Sequence, residues 1–158
     1  MQTRPDDPDP RELLRRTLAG GDEYTAIREL WKRHSIAEDG RDLDGLISTL
    51  TDDCVYEILG TTHRWEGHDG ARAFYTELLG AFPDIDFSLT DITIGPQGVT
   101  EMATVVGTHR APWLGDAPTG ERLQWRVAIS FPWDPEQRLF RGERVLTTAP
   151  APAAAVGS

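Results

Sequence analysis

Arg122-Leu123-Gln124-Trp125-Arg126-Val127-Ala128-Ile129-Ser130-Phe131, with Trp133 two residues on, is the stretch that decides the fold. Leu123, Trp125, Val127, Ile129, Phe131 and Trp133 alternate with Arg122, Gln124, Arg126, Ala128 and Ser130. A period of two with large apolar groups on one side describes a strand with one dry face and one polar face. Its neighbours read the same way. Asp86 to Ile94 is a strand, Gly95-Pro96-Gln97-Gly98 a turn, Val99 to Arg110 a long strand, and Leu139 to Thr147 a last one.

Upstream the period changes to that of helices. Arg11 to Ala19 reads as a short helix ended by Gly20-Gly21. Asp22 caps a longer one carrying Tyr24, Ile27, Leu30, Trp31 and His34 on one stripe, and Asp39-Gly40 stops it. Asp42 to Leu50 is a third helix. Cys54 to Leu59 is strand-like, and Thr61 to Trp65 returns beside it. Gly67 to Phe82 is the last helix, with Pro83 behind it. Helices first and sheet after give an α+β domain with helices packed on one face of a curved antiparallel sheet. Residues 10–148 form that single domain. Residues 1–9 and 149–158, rich in Pro, Asp and Ala, read as disordered tails.

Composition narrows the function. The net charge is -10, and Lys32 is the only lysine among 16 basic residues, which argues against nucleic acid as a partner. No apolar run reaches membrane-spanning length, and the N-terminus lacks a signal peptide's apolar core. Cys54 is the single cysteine, so the expected compartment is the reducing cytoplasm.

Four short motifs then fall in register. They are Gly67-His68-Asp69-Gly70-Ala71-Arg72-Ala73-Phe74-Tyr75, Ala81-Phe82-Pro83-Asp84, Gly107-Thr108-His109 and Pro118-Thr119-Gly120. In this order the chain resembles, over residues 23–148, the SnoaL-like branch of the nuclear transport factor 2-like superfamily. The resemblance implies a cone-shaped sheet around helices with a pocket inside. It also implies relatives among polyketide cyclases, ketosteroid isomerases and limonene-epoxide-hydrolase-like enzymes, which use acid–base side chains and no bound cofactor. The chain departs from that pattern twice. Glu143-Arg144-Val145 is followed by Leu146-Thr147-Thr148 without the family's closing acid, and Arg122 to Ser130 holds no Asp or Glu.

Proton transfer needs groups of tunable pKa, and four are candidates. His109 shares a strand face with Glu101, Ala103, Val105 and Gly107, and the resemblance implies that it faces the pocket. Glu57 lies in the early strand where isomerase-like relatives carry a catalytic carboxylate. His34 is polar on an apolar stripe, and His63 sits beside the pocket mouth. The expected lining comprises Trp65, Trp113, Trp125, Tyr24, Trp31, Tyr56 and Phe74, with Trp113 in a loop suited to a lid. His63 and His68 do not have the spacing of a helical zinc motif, so no metal is expected. Arg126 and Glu143 read as a surface pair on neighbouring strands. The expected function is cofactor-free cyclisation, isomerisation or hydration of a small apolar molecule, in secondary, polyketide-like metabolism, by a homodimer. A ligand-binding protein without chemistry and a dimeric interaction module are the alternatives.

Overall fold

The computed structural model describes residues 9–18 and 20–154. The remaining parts of the two expected tails lie outside the described residues. Helices α1 (Pro10–Arg15), α2 (Gly21–Asp39) and α3 (Leu43–Ile47) come first, followed by strands β1 (Leu50–Ile58) and β2 (Arg64–Glu66). Helix α4 (Gly67–Ala81) precedes β3 (Asp86–Gly95), β4 (Gly98–Thr108), β5 (Arg122–Asp134), β6 (Leu139–Thr147) and the two-residue β7 (Ala151–Pro152). The sheet order is β2-β1-β6-β5-β4-β3, and β7 adds to β5. The architecture is the expected α+β arrangement. No helix among the described residues is long and apolar enough to cross a membrane.

The sheet is mixed where a purely antiparallel one is expected. β1 and β6 run parallel, with Tyr56 opposite Glu143 and Ile58 opposite Val145. The remaining pairs are antiparallel. The expected alternation of β5 holds along its length: Leu123, Trp125, Val127, Ile129, Phe131 and Trp133 are all buried.

Two helices are shorter than their sequence suggests. α1 stops at Arg15, and its Leu14 stands exposed. α3 ends at Ile47 and Leu50 already belongs to β1. Asp42 caps α3 by accepting a hydrogen bond from the Gly45 N–H at 2.9 Å. Ala151 and Pro152, inside the segment read as a tail, pair with Gln124 and Leu123.

α2 positions the interior chemistry. Its buried residues Glu23, Ile27, Leu30, His34 and Ala37 fall at steps of three and four, so this face lies against the sheet. Two of the five are polar, and burial obliges each to find partners. Glu23 accepts from the Trp133 indole N–H at 3.0 Å and from Arg16, which also donates to the Pro96 carbonyl. That clasp closes one end of the domain.

β6 carries a local irregularity that decides the site. Between the pairs Ser130–Arg144 and Trp133–Phe140, β6 has one residue more than β5. The extra residue is a bulge, and Gly142 occupies it with φ of 105°. The face pattern shifts there, so Gly142 and Glu143 are buried in succession.

Candidate active site

His34 from α2 meets Glu143 from β6, Tyr75 from α4 and Tyr56 from β1 in the middle of the molecule. His34 is 2% exposed and Glu143 3%. The Tyr75 hydroxyl lies 2.8 Å from Glu143 Oε1 and 2.9 Å from His34 Nε2, and Nε2 lies 3.0 Å from the same carboxylate oxygen. The Tyr56 hydroxyl is 2.9 Å from that of Tyr75. Burial and the Glu143 charge hold both phenols well above their ordinary pKa, so they remain proton donors.

The tautomer of His34 follows from the other side of the ring. Thr49 Oγ1 gives its one proton to the Leu46 carbonyl at 2.6 Å. It can therefore only accept from His34 Nδ1, 2.8 Å away, and Nδ1 carries a proton. Nε2 then faces the carboxylate oxygen of Glu143. The Tyr75 hydroxyl stands 2.9 Å from Nε2 and donates to the same Glu143 oxygen. Thr49→Val is expected to leave a buried N–H without an acceptor, at a cost of about 1–3 kcal/mol in urea unfolding. Nitrogen NMR of the ring is expected to show the Nδ1–H form losing ground, with Thr49→Ser restoring it. An unchanged ring signal in the valine variant would mean that something else fixes the proton.

A pocket opens above this network. Glu38 and Glu143 lie among its walls with Ile58, Phe74, Leu78, Ile85, Phe87, Trp113, Leu114, Trp125, Val127, Ile129, Val145 and Thr147. It holds about 490 Å³ of space outside the atoms, mouth included. Such a space suits a small molecule with an apolar body. Glu38 follows His34 by one helical turn and so shares its face. Burial, then the charges of Glu143, Glu101 and Asp39, push its carboxyl well above the usual range, with Arg41 opposing.

Glu101, on β4, accepts from the Trp31 indole N–H at 3.0 Å. Burial first and the Glu143 charge second raise its pKa to about 7. In the unfolded chain this carboxyl titrates near its ordinary value of 4.5. The folded state therefore binds more protons between those values, and stability falls as pH rises through that window. The penalty at high pH is on the order of 3 kcal/mol. Glu101→Gln is expected to stabilise the protein by about 2 kcal/mol near pH 8 and to change little near pH 5, measured by urea unfolding at both. Equal effects at the two pH values would contradict the raised pKa.

The residues singled out from sequence separate into three groups. His34, Phe74, Trp113, Trp125 and Tyr56 come together at the pocket and its floor. Trp65 stacks behind Trp113 at 6.4 Å and 9°, and His63 stacks on Trp65 at 6.3 Å. Trp31 stands beside Glu101, while Tyr24 is exposed. Glu57 points to the outer face, where Arg64 and Arg144 lie 3.6 and 3.3 Å away. His109 is buried against Phe82 at 5.1 Å, with its Nε2 unpartnered among the described residues. Neither Glu57, His63 nor His109 lines the pocket. Glu143 is no surface partner of Arg126, because the bulge turns it inward while Arg126 stays exposed.

Glu38, Tyr75 and Glu143 were not anticipated as site residues. His34 Nε2 and the Glu38 and Glu143 carboxylates bring ligand atoms within 4.8 Å of one another, a set whose atom types also suit a divalent cation.

A family profile described as a SnoaL-like domain matches residues 27–135. The chain belongs to the SnoaL-like family. A comparison with curated proteins finds no match. Among solved structures, a protein proposed to be a SnoaL-like polyketide cyclase from Jannaschia sp. CCS1 superposes with a TM-score of 0.71 at 21% identity, over 81% of this chain and 89% of that one. The LEH-like epoxide hydrolase of M. tuberculosis gives 0.60 at 20%, over 80% and 85%. An NTF2-like protein from Burkholderia xenovorans LB400 gives 0.65 at 12%, over 79% and 91%. These SnoaL-like and NTF2-like neighbours share the fold, and the Glu38–His34–Glu143 arrangement is read from this chain's own side chains.

Proposed function

We propose that this SnoaL-like protein is a cofactor-independent acid–base enzyme acting on a small apolar molecule, by isomerisation, cyclisation or hydration. The observation that carries the reading is the pair of unlike carboxylates on one pocket floor. Glu38 keeps its proton because it is desolvated beside other acids, and it is the general acid. Glu143 accepts a hydrogen bond from Tyr75 and lies 3.0 Å from His34 Nε2, and it is the base. Trp113, Trp125 and Phe74 exclude water from the reacting atoms.

The family's named relatives include an epoxide hydrolase and proposed cyclases, which supports chemistry of this class. Two small probes cover its arms: isomerisation of 3-cyclohexenone to the conjugated ketone, followed by absorbance, and hydration of styrene oxide. In the first, Glu143 takes the α-proton while Glu38 protonates the carbonyl oxygen, giving the dienol; Glu143 then returns its proton to the far carbon as Glu38 takes back the hydroxyl proton. Acceleration of either reaction, lost in Glu38→Gln and in Glu143→Gln, is the expected result. Equal rates for the wild type and both variants on both probes would remove the proposal.

A further inference from the structure

We propose that the ligand of this pocket is a cation: a small apolar molecule with one basic nitrogen, held as an ammonium between the Glu38 and Glu143 carboxylates. The inference rests on the pocket of the proposed function and names its substrate class. Two acidic side chains and no Lys or Arg stand among the fourteen lining residues. An anionic ligand would therefore meet repulsion with no compensating partner among those residues.

The geometry suits a single nitrogen. Two acceptors about 2.9 Å from one tetrahedral nitrogen stand about 4.7 Å apart. The Glu38 and Glu143 oxygens lie within 4.8 Å of each other. The walls add a second attraction, because Trp113, Trp125 and Phe74 supply aromatic rings that favour a cation as well as an apolar body. The net charge of -10 draws cations toward the molecule before they reach the mouth.

The test is calorimetry on the intact chain, in EDTA to keep divalent ions off the carboxylates, with three ligands of one shape. Benzylamine is expected to bind at least about tenfold more tightly than benzyl alcohol, and benzoate more weakly than either. Glu38→Gln and Glu143→Gln are expected to cut the amine preference to about twofold or less. Benzyl alcohol binding as tightly as the amine, benzoate binding best, or no binding by any of the three would overturn the proposal. So would an amine preference that survives in both variants, since that would belong to the acidic surface. Isomerisation of 3-cyclohexenone without amine selectivity sinks only this inference, whereas selectivity without turnover sinks only the acid–base reading.

Discussion

Glu143→Gln is expected to lower turnover of a responsive probe about a thousandfold, the range in which a positioned acid or base contributes. The amide keeps the volume and one acceptor oxygen for Tyr75, so the domain is expected to stay folded. What disappears is the base and a charge felt across the whole interior. Glu143 is the second-largest cause of the raised pKa of both Glu38 and Glu101, and of Tyr56 and Tyr75. Its removal therefore lets the Glu38 carboxyl ionise at lower pH. The residual rate is expected to fall off at lower pH than in the wild type, because the acid is lost sooner. A pH profile measured beside the rate checks this. A variant with unchanged profile would place Glu38 outside the reach of Glu143.

Gly142→Ala carries the second large effect, this time on folding. Gly142 has a φ of 105°, which side chains rarely adopt, and an added Cβ would lie 2.0 Å from the Val55 carbonyl oxygen. The neighbour is backbone of the paired β1, so no rotamer change relieves the clash. A loss of more than about 3 kcal/mol is expected, a large part of the stability of such a domain. Gly80→Ala in α4 is the control, since nothing lies within 4 Å of its added Cβ. It is expected to stabilise by about 0.5–1 kcal/mol. Thermal unfolding compares the two, and a Gly142→Ala protein as stable as wild type would mean that the bulge can be rebuilt without glycine.

The walls of the pocket were legible because strand alternation is a local property. Trp125 and its neighbours on β5 face inward as the period of two requires. His34 stood out because a polar group on an apolar helical stripe needs a partner. The same reasoning reaches Glu38 one turn later, had the stripe been followed past His34. Glu143 was hidden by a different cause. Strict alternation from Phe140 places Gly142 inward and Glu143 outward, and only the bulge brings Glu143 inward as well. Bulges depend on pairing with a partner strand, which the sequence of one strand does not display. Tyr75 carries no such mark in the sequence, because its hydroxyl matters only through residues distant along the chain. The order of the elements was readable throughout, while the parallel β1–β6 pair was not, since two strands far apart in the chain had to be matched.

That parallel pair also sets when the site comes into being. Leu50 lies opposite Phe140 and Ile58 opposite Val145, so β1 waits for nearly the whole chain before its second neighbour, β6, is made. Contacts of such long sequence separation close loops of high entropic cost and slow the folding of a sheet. His34, Tyr56 and Tyr75 are all made early during synthesis, and Glu143 arrives with the last long strand. A nascent chain thus carries most of the network without its carboxylate, and chemistry begins only as folding ends.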